Sequence, residues 1–251
     1  MLLSIQSDIS AFAWAMGLAA AFVVGMSKAG IKGIAVINVT LMALAFGAKE
    51  STGLVVPLLI FADIFAVSYY NRHTQWKYIV RFLPWILAGI LIGVYIGRDL
   101  DEDTFKIGMA LIILGSVAMM YWWDRKKSKK VPTHWTFAGF IGILAGITTM
   151  IGNLAGAFSN IFFLAMRLPK NQFIGTAAWL FLIINVFKLP FHIWSWGTIT
   201  PESLLINLKL APGILAGLYV GVRLVKIIKE DFYRKMILIL TALGAILILV
   251  R

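Results

Sequence analysis

Ten long apolar stretches fill most of this chain and constrain its fold more than any other feature. They leave too little polar surface for a soluble globule, since 61% of the 251 residues are hydrophobic and only 14% are charged. None shows the polar and apolar alternation of a membrane β-strand, and a lipid-exposed backbone must satisfy its own hydrogen bonds. The sequence therefore predicts an all-α membrane protein. The stretches lie at 9–25, 33–47, 52–70, 82–98, 104–123, 135–150, 152–166, 172–190, 205–223 and 232–250.

The chain also contains an internal repeat. Ile86-Leu87-Ala88-Gly89 returns as Ile214-Leu215-Ala216-Gly217, at an offset of 128 (214 − 86). We therefore predict two related halves in one membrane domain, with a first repeat at 1–123, a basic cytoplasmic linker at 124–134 and a second repeat at 135–251. Paired halves of this kind are typical of secondary transporters, whose binding site lies between the halves.

The charge distribution decides how many stretches cross the membrane. Those at 33–47 and 152–166 have about 15 residues each, whereas a perpendicular span needs about 20. If neither crossed, the lysines and arginines would divide almost evenly between the two faces. If both cross, the face opposite the basic loops keeps only Lys49, Arg98, Lys106 and Arg251. We therefore predict about ten helices in two inverted five-helix repeats, with basic loops in the cytoplasm and both termini outside.

Two segments rich in glycine and small polar residues, at 25–33 and 146–156, lead into the short stretches, one in each half. Interrupted segments in matching positions indicate a transporter binding site. A broken helix has unpaired N–H groups and a partial positive charge at its start, which suits an anion. The alternative is that the glycines only allow close helix packing. The candidate substrate-binding residues are Ser27, Lys28, Gly30, Gly33 and Asn38 in the first half and Thr148, Thr149, Gly152 and Asn153 in the second.

The lysines of the first broken segment have two alternative roles. Lys28 either neutralises the anion or marks the cytoplasmic edge of the membrane. We interpret Lys32, one helical turn further on, as a residue that enforces topology. Asn38, Ser159 and Asn160 either line the cavity or form hydrogen bonds to a neighbouring helix.

Asp63 is the acidic residue that lies well inside an apolar stretch. A carboxylate at that depth is costly unless it is paired, hydrated or protonated, which makes it a functional candidate. We predict that Asp63 carries a coupling proton, because desolvation disfavours the charged carboxylate. Its alternative role is a structural partner for an interior lysine or a helix end. Asn185 stands at the matching position of the second half and is a candidate binding residue. Lys188 either contacts the anion or extends to the membrane surface.

Several classes of function find no support in the sequence. The chain has no cysteine, and His73, His134 and His192 lack the spacing of metal ligands, so we predict no metal site and no cofactor. Nucleotide-binding and hydrolase motifs are absent, and we predict no catalytic residue. The net charge of +12 comes from short loops between apolar stretches, which argues against a nucleic-acid partner.

Over nearly its whole length, and most specifically in the first half, the chain resembles the sulfite exporter TauE/SafE family, also described as probable membrane transporters or toluene-sulfonate uptake permeases. The resemblance rests on Gly25-Met26-Ser27-Lys28-Ala29-Gly30, Pro57-Leu58-Leu59-Ile60-Phe61-Ala62-Asp63 and Tyr70-Asn71-Arg72-His73-Thr74-Gln75-Trp76. It implies a prokaryotic inner-membrane permease of two related halves that moves sulfite, sulfoacetate or related sulfonates. It also implies that Ser27, Lys28 and Gly30 contribute to an anion site, with proton or sodium coupling. Unlike many relatives, this chain has Lys32 between Gly30 and Gly33.

The function that we predict is transport of a small anion across the lipid bilayer by alternating access, coupled to H⁺ or Na⁺. The anion would bind between the two short helices, and the halves would move to expose it to either side. A membrane-embedded enzyme and a structural partner of a larger membrane complex are the alternatives.

Single cysteines introduced into this cysteine-free chain test the predicted topology. On intact cells, we expect a membrane-impermeant maleimide to label Ser4→Cys, near the first terminus, because that terminus is predicted to lie outside. Ser128→Cys, in the basic linker, should be labelled only after the membrane is permeabilised. The reverse pattern would contradict the predicted orientation.

Overall fold

The computed structural model describes residues 9–101, 103–105, 107–108, 111, 115, 118, 134–229, 232–233, 236 and 239. All regular structure in those residues is helical, with no strand, which confirms the all-α prediction. The α-helices with described bounds are α1 (Ala11–Lys28), α2 (Ala35–Phe46), α3 (Ala48–Tyr70), α4 (Trp76–Arg98), α5 (Trp135–Gly152), α6 (Ala155–Ala165), α7 (Lys170–Pro190) and α8 (Pro201–Ile227). A 3₁₀ turn (Asn71–His73) follows α3, and a π turn (Phe191–Ser195) follows α7.

Six of these helices are long and apolar enough to cross a membrane: α1, α3, α4, α5, α7 and α8. Helices α2 and α6 have only 12 and 11 residues. At about 1.5 Å per residue they are too short for a hydrocarbon core of about 30 Å, so the chain has one short helix in each half. The structure is that of a multi-pass membrane protein.

The predicted helices at 104–123 and 232–250 lie mostly outside the described residues. The described members of both stretches, such as Phe105 and Tyr233, are helical. The count of ten helices and their inverted order therefore remain predictions, as does the basic linker, of which only His134 is described.

Local sequence explains where several helices begin and end. Ser10 caps α1 by accepting a hydrogen bond from the Ala13 N–H, and Thr200 caps α8 in a reciprocal box with Ser203. The breaks that separate α1 from α2 and α5 from α6 contain residues in positive-φ conformations. Gly30 has φ 123°, and Asn153, the C-cap of α5, has φ 55°. Glycine and asparagine adopt such conformations more readily than other residues.

Hydrogen bonds between loops and helix ends divide the molecule into two ends. One, which we call the basic end, contains residues 71–75, 134, 167–169 and 228–229; there the Trp179 indole donates to Asn71 Oδ1 over 2.8 Å. The opposite one, which we call the acidic end, contains residues 47–50, 99–101 and 196–202. At that end the Lys49 ammonium donates to the carbonyl oxygens of Arg98 and Leu100 over 3.0 and 2.8 Å. Helices α3 and α8 run from the acidic end to the basic end, and α4 and α7 run in the opposite direction.

Glycines bring helices of the two halves into close contact. Helix α4 packs along α5, and α1 packs along α8. A Cβ atom added at Gly146 would overlap the Ile86 carbonyl oxygen, and one added at Gly217 would overlap the Phe22 carbonyl oxygen. Small residues allow backbones to approach in this way where lipid supplies no hydrophobic drive for association. Gly146 begins the 146–156 segment singled out in the sequence, so for this glycine the alternative role, close helix packing, is the one that the structure shows.

Gly217→Ala should lower the melting temperature of the protein in detergent, because the added methyl group must displace the α1 backbone. Overpacking of this kind costs about 1–3 kcal/mol. Gly108→Ala is the matched control, because a Cβ there meets no described atom within 4 Å. Equal melting temperatures for the two variants would contradict the close α1–α8 contact.

Candidate functional site

A small cavity with both polar and apolar lining lies between the two short helices, at the breaks that lead into them. Its volume is about 50 Å³. The wall combines side chains from α1, α3 and α7 with the first residues of α2 and α6. The lining residues are Val24, Ser27, Lys28, Lys32, Gly33, Ala35, Val36, Asn38, Leu59, Thr149, Asn153, Leu154, Ala155, Gly156, Asn160, Phe181 and Asn185. We call it the central cavity.

The N-termini of both short helices line the central cavity. Ala35 and Val36 begin α2, Ala155 and Gly156 begin α6, and neither helix has a side-chain cap. The first N–H groups of a helix have no partner within the helix, and its dipole places a partial positive charge there. Two such ends on one cavity favour a negatively charged ligand.

Lys28 and Asp63 form a buried ion pair beside the cavity. Lys28 Nζ lies 2.7 Å from Asp63 Oδ1, and the Asp63 side chain is wholly buried. The other carboxylate oxygen accepts a 2.7 Å hydrogen bond from Asn185 Nδ2. Asp63 therefore neutralises the charge of Lys28 in this conformation, and it joins α1 and α3 of the first half to α7 of the second.

Lys188 lies behind the cavity wall. Its side chain is fully buried, so the surface-directed orientation that the sequence left open does not occur. The ammonium group donates to Asn153 Oδ1 over 2.6 Å and to the carbonyl and hydroxyl oxygens of Thr149 over 3.2 Å each. Asn153 Nδ2 in turn donates to the Thr52 carbonyl oxygen over 2.9 Å. Lys188 thus holds the α5–α6 break in place rather than lining the cavity.

Lys32 lines the central cavity, although the sequence suggested only a topological role. Its side chain is 3% exposed, and it forms no salt bridge within the described part of the chain. The ammonium group lies 5.5 Å from the centre of the Phe181 ring, a cation–π distance. A buried ammonium without a carboxylate partner leaves a positive charge for a ligand to neutralise. The sequence did contain a signal for this position, because Lys32 follows Lys28 by four residues and could therefore have been expected near the same cavity.

Two buried amides add hydrogen-bonding capacity to the cavity. Asn38 and Asn160 are each 3% exposed, and among the described residues neither Oδ1 atom has a hydrogen-bond partner. Buried polar atoms in proteins are nearly always paired, so each of these atoms indicates a missing partner. An amide can also turn to present its Nδ2 donors instead.

The structure brings together most of the residues that the sequence singled out. Ser27, Lys28, Gly33, Asn38, Thr149, Asn153 and Asn185 line the central cavity. Asp63 lies directly behind Lys28, while Gly152 lines a smaller neighbouring cavity. Gly30 and Thr148 do not face the cavity: the Gly30 carbonyl oxygen is bound by Tyr233, and the Thr148 hydroxyl donates to the Ala145 carbonyl oxygen. Phe181 is a wall residue that sequence reasoning missed.

Comparison with known proteins agrees with this geometry. Residues 14–248 match the family model described as Sulfite exporter TauE/SafE. The chain belongs to the TauE/SafE family. Its members are membrane transporters, and the match covers both halves, both breaks and the central cavity. No similar curated protein and no similar solved structure was found.

The Lys28–Asp63 pair yields a stability prediction for this family member. Asp63→Asn should lower the free energy of unfolding by about 3–5 kcal/mol, because it leaves a buried ammonium group uncompensated. The double variant Lys28→Met/Asp63→Asn should be more stable than Asp63→Asn alone. Thermal unfolding in detergent measures both effects.

Asp99→Asn is the matched control for that experiment. The Asp99 carboxylate is 90% exposed and lies 3.9 Å from Arg98 Nε, so its removal should change the free energy of unfolding by about 0–1 kcal/mol. If Asp63→Asn were as stable as Asp99→Asn, the buried pair would not hold these helices together.

Proposed function

We propose that this protein is a secondary transporter of small anions, with sulfite and sulfonates as the leading substrates, and that it works by alternating access. The observation that carries the proposal is the Lys32 ammonium, buried at a cavity wall without a salt-bridge partner among the described residues. The family supports membrane transport, and the cavity supports an anion as the cargo.

The size and charge of the central cavity favour a small oxyanion. Its volume of about 50 Å³ is several times the roughly 10–15 Å³ that one water molecule requires by a comparable measure. The space suits an anion of about four non-hydrogen atoms. Oxygen atoms of such an anion would accept hydrogen bonds from the uncapped N–H groups of α2 and α6 and from Lys32, and charge-assisted hydrogen bonds of this type are strong.

Asp63 and Lys28 provide a means of coupling. Lys28 lines the cavity and is held by Asp63 at 2.7 Å, so the anion and Asp63 compete for the same ammonium group. A proton or sodium ion that binds Asp63 releases Lys28 to the anion. Binding of the coupling ion and binding of the substrate then favour each other, which is the thermodynamic requirement for coupled transport.

The contacts between the halves support alternating access around this cavity. Asp63 and Asn185 occupy matching positions of the two halves and form a hydrogen bond to each other across the interface of α3 and α7. The glycine contacts of α4 with α5 correspond to those of α8 with α1. Two halves of inverted orientation that meet in this way can move as bodies around a central site.

Lys32→Met tests the proposed site. Sulfite should raise the melting temperature of the purified protein, because a ligand that binds the folded state stabilises it. Loss of the Lys32 charge should weaken sulfite binding by about tenfold or more, since a hydrogen bond to a charged group contributes about 1.5–3 kcal/mol. Sulfite uptake into proteoliposomes should fall in parallel.

Lys77→Met is the matched control, because Lys77 is exposed at the basic end and lies outside the central cavity. It should retain the sulfite-induced shift and the flux. Equal sulfite binding by Lys32→Met and the unmodified protein would contradict the proposed site. Chemical conversion of sulfite without net flux would favour an enzyme instead.

A further inference from the structure

A second cavity lies beyond the break between α1 and α2, at the basic end. Its volume is about 300 Å³, and its lining residues are Tyr69, Tyr70, His73, Lys170, Asn171, Val225 and Lys226. We call it the basic-end cavity. The loop at residues 29–31 adjoins both cavities. Lys28 and Lys32, on either side of the loop, line the central cavity, while Tyr70 and Val225 line the basic-end cavity and contact the loop.

Two buried tyrosines hold this loop by its backbone. The Tyr70 hydroxyl donates to the Ala29 carbonyl oxygen over 2.8 Å, and the Tyr233 hydroxyl donates to the Gly30 carbonyl oxygen over 2.7 Å. Tyr70 ends α3, whereas Tyr233 lies more than 160 residues later in the second half. Successive carbonyl groups of one loop are therefore fixed by residues of different halves, so a relative movement of the halves must break at least one of these bonds.

The loop itself is thin and small. Ala29 and Gly30 have almost no side chain, and Gly30 has φ 123°, a conformation that disfavours other residues. A Cβ atom added at Gly30 would lie 2.9 Å from Ile174 Cδ1 and 3.1 Å from Val225 Cγ2. The peptide groups of residues 29–31 thus lie between the two cavities, with the buried side chains of Ile174 and Tyr233 packed against them.

The wall of the basic-end cavity contains two positively charged side chains, Lys170 and Lys226, which would attract an anion. Lys170, Lys226 and His73 contribute to its wall, and no acidic residue does so among the described residues. The Lys170 ammonium donates to the carbonyl oxygens of Val225 and Ile228, over 3.1 and 2.6 Å, and so fixes the end of α8 beside the cavity. Lys226 is exposed, with its ammonium 6.0 Å from the centre of the Tyr69 ring.

We infer that the basic-end cavity is a second anion-binding site, from which the substrate passes to the central cavity when Tyr70 and Tyr233 release the 29–31 loop. This inference rests on the proposed transport function and adds a route and two positioning residues to it. The charge of Lys226 concentrates the anion at the loop, and the two tyrosine hydroxyls keep the loop closed until the halves move.

A single cysteine at Ser27, on the central-cavity side of the loop, tests the inference. The chain has no other cysteine, so its modification reports access to the central cavity alone. Two methanethiosulfonate reagents of similar size are compared on the purified protein, one carrying a sulfonate and one a trimethylammonium group. The added substitutions Tyr70→Phe and Tyr233→Phe should increase the modification rate by about tenfold, since each removes a hydrogen bond that closes the loop.

Lys226→Gln tests the anion preference of the basic-end cavity. It should slow modification of Ser27→Cys by the sulfonate reagent about threefold or more and leave the rate of the cationic reagent unchanged or faster, because a nearby positive charge attracts anions selectively. Tyr95→Phe is the matched control for the tyrosines, because Tyr95 is 84% exposed on α4 and should not alter either rate.

The possible results distinguish a failure of this inference from a failure of the proposed central site. If the double tyrosine variant does not fold, Tyr70→Phe and Tyr233→Phe are measured singly, and each should give about a threefold increase. Rates that no tyrosine variant changes, or a Lys226→Gln effect equal for both reagents, would overturn the inference. Those results would leave the sulfite stabilisation and its dependence on Lys32 intact. Failure of the Lys32→Met experiment would instead count against the proposed function, on which this inference rests.

Discussion

A positive charge buried inside a membrane bundle requires compensation, and three buried lysines shape the centre of this protein through that requirement. Lys28 is compensated by the carboxylate of Asp63, and Lys188 by neutral oxygens of the α5–α6 break. Lys32 has neither kind of partner in the described part of the chain. The first two charges hold helices and a break in defined positions, and the third is the charge that the anion of the proposed function would neutralise.

The same principle governs the backbone. Irregular backbone at membrane depth is tolerated only where it is buried in protein or lines a cavity. At the break of residues 29–34, the hydroxyl groups of Tyr70 and Tyr233 donate hydrogen bonds to backbone carbonyl oxygens. At the second break, the Asn153 side chain is hydrogen-bonded to Lys188 and to the Thr52 carbonyl oxygen. At both breaks, protein groups hold residues of the break, while the first residues of the following short helix line the central cavity. On the proposed function, an anion would accept hydrogen bonds from the uncapped N–H groups of these residues.

The sequence predicted which residues line the central cavity better than it predicted the role of each residue. Ser27, Thr149 and Asn185 were expected at the site because they stand at interrupted helices or at matching positions of the two halves, and all three line the cavity. The sequence predicted the positions of the Lys32 and Lys188 side chains less well, since Lys32 lines the cavity and Lys188 lies behind its wall. Whether a lysine in an apolar segment turns inward, outward or behind a wall depends on side-chain direction and on distant partners such as Asn153, and neither can be derived from spacing along one helix.

By itself, the sequence determined that the chain is an all-helical membrane protein, that a short helix occurs in each half, and that the interrupted segments form a polar centre. Those properties follow from local composition. The length of an apolar segment determines whether it can span a bilayer, and glycine residues favour the backbone conformations at which helices end. Only the tertiary structure decided which charges are neutralised. The pairing of Lys28 with Asp63, and the absence of such a partner for Lys32 among the described residues, depend on distances between helices far apart in the chain. A buried charge is neutralised only by a group within a few ångströms of it, and the distance between two side chains in space cannot be read from their separation in the sequence.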